Sequence, residues 1–237
     1  MTILNEIEFL EPKYIIPHEE PSIEKLNALT LKIKNDGFIN HPISTTKLKN
    51  KIIILDGTHR FFALKNLNVK FIPIQLVNYQ KKRIKLSSWA WQFNVNQEFK
   101  NLLKTFDLKI IYDIRMPKNY EILIKSKETF LIKFPDKFKF LSFLNEIKNL
   151  HYERVLREHL NEGIIFPKLN HNFFLFLAKN NLKIPSGITR FKVQNRILYL
   201  KVPLNVLNDE KLIFEFKEHL KNRKFRIYEE SVLVFEE

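Results

Sequence analysis

Glycine occurs at only four positions, Gly37, Gly57, Gly163 and Gly187, in a chain of 237 residues. Average usage would place roughly 16 in a chain of this length. No two of the four lie closer than about twenty residues, which excludes G-x-G-x-x-G and G-x-x-x-x-G-K-[ST] anywhere in the sequence. A nucleotide bound by this chain is therefore not held by a Rossmann turn, a P-loop or the glycine-rich loop of a standard protein kinase.

Cysteine is absent, so disulfides, cysteine-type zinc sites, redox chemistry and a thiol nucleophile are all excluded. The first apolar run is broken by Glu6, Glu8 and Glu11, which does not suit a signal peptide. No apolar stretch approaches the length that spans a bilayer. A cytoplasmic protein without membrane partners is expected. The 45% of hydrophobic residues can bury a core in one or two domains.

The formal net charge is +14, and its distribution decides what it means. Residues 1–30 hold six acids against two bases, whereas residues 31–110 hold fifteen bases against four acids. The densest run is Lys81-Lys82-Arg83 with Lys85. Neither it nor the Lys47/Lys49/Lys51 cluster alternates with aromatics as a base-stacking platform would. A solvated lysine-rich surface is the first reading, attraction of anionic small molecules the second, and nucleic acid the third.

Along the chain, Ser22 suits an N-cap and Gly37 a left-handed helix end, which predicts a helix between them. His41–Thr46 and Lys51–Leu55 read as strands joined by a polar turn at 47–50. Thr58–Leu67 reads as a helix burying Phe61, Phe62 and Leu64. Phe71–Tyr79 reads as a strand that Pro73 marks as an edge or irregular one. Beyond Trp91 the pattern predicts a helix at 97–108, a hairpin of Glu121–Lys125 with Thr129–Phe134, and a long helix from Asp136 to Asn161 closed by Gly163. A short helix near Asn172–Asn180 follows, then two β pairs around a helix at Asp209–Asn222. The fold class is α/β (α+β), with an N-terminal domain over 1–92 and a second mixed α/β lobe over 93–237.

The segment Ile52-Ile53-Ile54-Leu55-Asp56-Gly57-Thr58-His59-Arg60 carries the most chemical content. A buried strand runs through a tight turn directly into a helix, which presents free N–H groups and the positive dipole end, a ready anion site. Gly57 lets a ligand approach the backbone closely. His59 and Arg60 add donors, and Asp56 can hold Mg²⁺ or a hydroxyl. The same residues also read as an ordinary turn with a capped helix and two surface side chains. Pro17-His18-Glu19-Glu20 is the second cluster: a general base beside a histidine, or an acidic lead-in to the first helix.

Together these residues resemble a known family. The order His18-Glu19, Asp36-Gly37 with His41-Pro42-Ile43, Leu55-Asp56-Gly57-Thr58-His59-Arg60 with Ala63-Leu64, Pro73, Val77-Asn78-Tyr79 and Ser88-Trp89 resembles the free serine kinases built on the ParB/sulfiredoxin fold. A second echo is Ile184-Pro185-Ser186-Gly187-Ile188-Thr189-Arg190-Phe191, where the family tends to show a Pro-rich turn ending Thr-Arg-His and Phe191 replaces the histidine. The resemblance implies a ParB/sulfiredoxin-like N-terminal domain packed against the second lobe, which completes the substrate pocket. It implies transfer of a phosphoryl group from ATP or ADP, with Mg²⁺, to free L-serine, giving O-phosphoserine for cysteine or siderophore-precursor synthesis. By the same resemblance Glu19 is the base, with Glu20 as its substitute if the alignment slips. Asp56 is then the second carboxylate near Mg²⁺, and Gly57, Thr58, His59 and Arg60 are the phosphate cradle. Trp89, Thr189 and Arg190 would line the serine pocket, Arg190 able to grip a carboxylate bidentately.

Three other activities share this fold. Sulfiredoxin chemistry needs the cysteine this chain lacks. A ParB-like DNA-binding protein would carry a second arginine after the phosphate turn, where Phe61-Phe62 stands, and a recognition helix where residues 121–134 read as β structure. A non-catalytic nucleotide or metabolite sensor is the remaining alternative, which the loss of histidine at Phe191 keeps open.

Overall fold

A computed structural model describes residues 3–78, 83–106, 108–112 and 114–224. The chain divides into two compact units. The first comprises Met1–Pro17, Pro21–Ile84 and Val193–Glu237; the second comprises His18–Glu20 and Lys85–Lys192. The sequence reading places a single boundary at 92–93, whereas this division falls near 84–85 and 192–193, with three residues at 18–20 exchanged.

The first unit contains β1 (Ile7–Leu10), β2 (Ile15–Ile16), α1 (Ile23–Asp36), β3 (Phe38–Ile39), β4 (Ile43–Leu48), β5 (Lys51–Asp56), α2 (Thr58–Asn66) and β6 (Ile72–Leu76). Its five-stranded sheet has the order β1-β6-β4-β5-β2. Strands β4 and β5 form an antiparallel hairpin, while β4/β6 and β5/β2 are parallel. The β-branched run Ile52-Ile53-Ile54 makes β5 a good strand former, and Ile53, Ile54 and Leu55 are buried. Ile33 of α1 and Phe61 and Leu64 of α2 bury against Ile43, Ile54 and Ile74 of the sheet. Gly37 ends α1 with a positive φ of 74° and a bond from its N–H to the Ile33 carbonyl, as its sequence position requires.

The second unit contains β7 (Ile84–Ser88), β8 (Ala90–Gln92), α3 (Gln97–Lys104), β9 (Lys109–Ile111), β10 (Glu121–Lys125), β11 (Phe130–Lys133), α4 (Lys137–Ile147), β12 (Glu153–Val155), β13 (Gly163–Ile165), α5 (His171–Lys179) and β14 (Thr189–Val193). Its main sheet has the order β12-β8-β13-β10-β11-β9, antiparallel throughout. Strand β14 pairs with β7. Phe140 and Phe143 of α4 are fully buried and meet Phe134 in edge and tilted ring contacts, which is where much of the phenylalanine goes. Strand β15 (Val202–Pro203), paired with β3, and helix α6 (Glu210–Asn222) then return to the first unit.

Several expectations need correction. Pro73 does not mark an edge: β6 lies between β1 and β4. Pro73 lies opposite Phe9 of β1, and the register with β4 begins only at Ile74. The long helix from Asp136 to Asn161 stops at Ile147, because Glu153–Val155 adds to the edge of β8 instead. Gly163 therefore closes no helix. It opens β13, where a Cβ would sit 2.0 Å from the Trp91 carbonyl oxygen. Ser22 occupies the N-cap of α1 without a side-chain cap bond. Phe62 is only partly buried. The expected strand end at Tyr79, the basic pair Lys81-Lys82 and the last β pair of the C-terminus lie outside the described residues. Among the described residues, no helix is long and apolar enough to cross a membrane.

Candidate functional site

The expected site residues fall into two clusters, one in each unit. In the first unit, β5 delivers Asp56 to a turn in which Gly57 adopts φ 102°, a left-handed conformation that glycine takes without strain, and α2 starts at Thr58. The Arg60 guanidinium folds back over Gly57. It donates to Asp56 Oδ2 at 2.7 Å and to the carbonyls of His41 and Pro42 at 3.1 and 2.6 Å. A Cβ at position 57 would lie 2.9 Å from the Arg60 guanidinium, the far end of a side chain that can shift, so it is the positive φ that favours glycine.

A second guanidinium, Arg196, reaches the same Asp56 oxygen at 2.6 Å. Burial pushes the Asp56 carboxyl up, but the charges of Arg60 and Arg196 outweigh it and hold the group below its ordinary range. Asp56 is thus an ionised carboxylate beside two cations. His41 lies next to them. Burial, and then the same two arginines, push it down to about 4, so it is neutral, and its Nδ1 accepts the Tyr199 amide N–H at 2.9 Å. His59, expected in the cradle, accepts the Ser22 amide N–H at its Nε2, 3.0 Å away. It therefore joins the start of α1 to the start of α2.

In the second unit, His18–Glu20 runs as a short extended segment bridged in parallel to Ile184. The Glu20 amide donates to the Ile184 carbonyl, and the Ile184 amide to that of His18. Glu19 turns towards Thr189, while Glu20 is exposed with Lys148 at 3.9 Å. Glu19 Oε1 accepts both the Thr189 amide at 3.1 Å and the Thr189 hydroxyl at 2.5 Å.

With its proton given to Glu19, the Thr189 hydroxyl can only accept from His18 Nε2, 2.9 Å away. Buried His18 is set by edge contacts with Phe174 and Phe191. Phe191 thus packs the histidine that precedes Glu19. Burial raises the Glu19 carboxyl to about 7, opposed by the bonds from Thr189 and Gly187 and by the charge of Arg154. A carboxylate balanced near neutrality is suited to accept and release a proton.

Trp89, on the loop between β7 and β8, carries two guanidinium groups: Arg190 at 4.6 Å and Arg154 at 4.7 Å from its ring centroid. The sequence reading links Arg190 to this pocket but misses Arg154, Tyr152, Arg196 and His41 as neighbours of the expected residues. Tyr152 and Arg154 fall within the expected long helix, so no periodicity signal could place them on the edge strand. Arg196 lies 140 residues from Asp56, with no local motif to mark it.

No family model matches the chain. An ATP-dependent L-serine kinase of Staphylothermus marinus is 34% identical over 77 residues, covering 32% of this chain and 31% of its own. The chain thus spans about a third of that relative's length. A second relative, the ATP-dependent L-serine kinase SbnI of Staphylococcus aureus, is 23% identical with 93% of both chains covered. A C-terminally truncated SbnI structure superposes with a TM-score of 0.78 at 21% identity, covering 93% of this chain and 98% of that one. A mutant free serine kinase in complex with ADP superposes with a TM-score of 0.68 at 19% identity over 85% of this chain and 94% of that one. These two structures share the mixed α/β architecture described above. In aligned sequence the chain is similar to proteins named as L-serine kinases, and in fold it is similar to SbnI and to a free serine kinase.

Proposed function

We propose that this protein phosphorylates free L-serine with ATP or ADP as donor, giving O-phospho-L-serine. The observation that carries the reading is the Glu19–Thr189 pair: a largely buried carboxylate that burial raises to about 7 against a double hydrogen bond from Thr189. Phosphoryl transfer needs positioning and charge neutralisation more than covalent machinery. A serine hydroxyl, with its high pKa, needs a base only as its bond to phosphorus forms.

The reading divides the chemistry between the two clusters. The nucleotide phosphates are assigned to Gly57, Thr58, His59 and Arg60, where the first amides of α2 have no intrahelical acceptor and the dipole favours anions. Arg60 and Arg196 supply positive charge beside them. L-serine is assigned to Trp89, Thr189 and Arg190. In the transfer, the serine oxygen bonds to the terminal phosphorus, the bond from that phosphorus to the donor's bridging oxygen breaks, and the hydroxyl proton passes to Glu19. ADP leaves when ATP is the donor, and AMP when ADP is. The proton on Glu19 is then released to solvent, and the Thr189 bonds restore the anion.

Mg²⁺ belongs to this reading through Asp56. Among the described residues no group of three or more candidate ligands gathers. A magnesium ion arriving on nucleotide phosphates needs only one or two protein carboxylates, and ionised Asp56 fits that demand. When bound it would neutralise phosphate charge.

The test is to incubate the protein with L-serine, Mg²⁺ and either ATP or ADP and to assay O-phosphoserine. Product with one donor is the expected result and also names the donor. Absence of product with both, from folded protein, overturns the reading.

A further inference from the structure

The aromatic ring of Trp89 holds two guanidinium groups side by side, and neither Arg154 nor Arg190 is ion-paired to a carboxylate among the described residues. Two like charges gathered on one ring repel each other, and a single indole offsets only part of that. An anion received between them would complete the set.

Arg154 is also well supported. It lies on the edge strand β12, in register with Trp91 of β8. Tyr152, two residues before it, stacks on Trp91 at 3.7 Å and donates to the Ser186 carbonyl at 3.0 Å. Trp91 Nε1 in turn donates to the Gly187 carbonyl at 2.8 Å. The Arg154 stem packs on Gly187, where a Cβ would lie 3.4 Å from its Cδ. The turn at Gly187 that leads into Thr189 also bonds to Glu19. The guanidinium is therefore presented from stacked and hydrogen-bonded side chains beside the candidate base, and little ordering remains to be done on binding.

We propose that Arg154 is a substrate-binding residue which, with Arg190 on Trp89, grips the α-carboxylate of the amino-acid substrate. This rests on the serine kinase reading and narrows it. Guanidinium forks match a planar carboxylate bidentately, so the acceptor must be an amino acid. An amino alcohol without a carboxylate leaves both arginines unanswered.

The test is steady-state kinetics of Arg154→Gln and Arg154→Lys beside the unaltered protein. In Arg154→Gln the KM for L-serine rises roughly 10- to 100-fold, the loss of one charge-assisted contact, while the KM for nucleotide stays unchanged. Arg154→Lys restores only part of the serine KM, because an ammonium cannot form the fork. The acidic limb of the rate profile moves to higher pH in the Gln variant and returns in the Lys variant, which keeps the charge near Glu19. Ethanolamine is a poor acceptor for the unaltered protein and no poorer for the Gln variant. An unchanged serine KM in Arg154→Gln, or a nucleotide KM that rises with it, overturns the proposal. O-phosphoserine formation by the unaltered protein is scored separately, so failure of the arginine assignment is distinguishable from failure of the kinase reading.

Discussion

Thr189 holds Glu19 through two bonds to one carboxylate oxygen, from its amide and from its hydroxyl, across 170 residues of sequence. Those bonds favour the anion, burial favours the acid, and the balance lies at about 7.

Activity should therefore follow the ionisation of Glu19. On the serine kinase reading, kcat/KM falls tenfold per pH unit below about 7 and levels above it. Glu19→Gln keeps the shape and can still accept from Thr189, but takes no proton. Its kcat should drop about 10²- to 10⁴-fold with nucleotide affinity, measured calorimetrically, unchanged. An acidic limb that persists in the Gln variant would move the base elsewhere.

The same shift has a stability counterpart of opposite benefit. A carboxyl raised from 4.5 to about 7 binds more protons folded than unfolded between those values. Stability contributed by its protonated form is complete below 4.5 and is lost as pH rises through 7. Glu19→Gln should thus gain on the unaltered protein between pH 5 and pH 8, by about 3 kcal/mol at most. Urea titrations at the two pH values measure the difference; an equal gain at both would contradict it.

His41 behaves in the other direction. Its folded value near 4 lies below the ordinary 6.5, so its contribution is present above 6.5 and lost as pH falls through 4. Protonation would also remove the Nδ1 acceptor that holds the Tyr199 amide. His41→Asn should flatten the decline in melting temperature between pH 6.5 and 4, and an unaltered decline would assign it to other groups.

Arg60 ties the Asp56-Gly57 turn to the segment before β4, through Asp56 and the carbonyls of His41 and Pro42. Lysine keeps the charge but cannot serve the three acceptors from one plane. Arg60→Lys should lose about 2 kcal/mol in urea unfolding, more than a surface exchange of these residues does.

Gly163→Ala should be among the most damaging single substitutions. A Cβ there would overlap the Trp91 carbonyl, backbone against backbone in a paired strand, and the residue has φ 137°. The loss should exceed about 4 kcal/mol and show as insoluble expression or a collapsed melting transition. A soluble variant with native melting would contradict the close approach.

What could be read in the sequence was local. The Ile52–Arg60 run specifies strand, turn and helix by β-branching, a glycine and a helix start within nine residues. The glycine end of α1 and the hairpin of β10 and β11 follow the same short-range rules. The segment between Ile147 and Gly163 was misread, because a three-residue edge strand is decided by its partner and not by its own periodicity. The pairing of Glu19 with Thr189, of Asp56 with Arg196, and of Arg154 with Trp89 likewise depends on chain returns far apart in sequence.

The sequence by itself determined which chemistry was available: no thiol, no glycine-rich phosphate loop, a carboxylate pair after a histidine, and a strand that turns through Asp56-Gly57 straight into a helix. Only the tertiary structure decided which carboxylate is buried, which arginines surround it and what protonation each group carries. Residue type sets what a side chain can donate or accept, but desolvation and neighbouring charge set its pKa, and both belong to the folded packing alone.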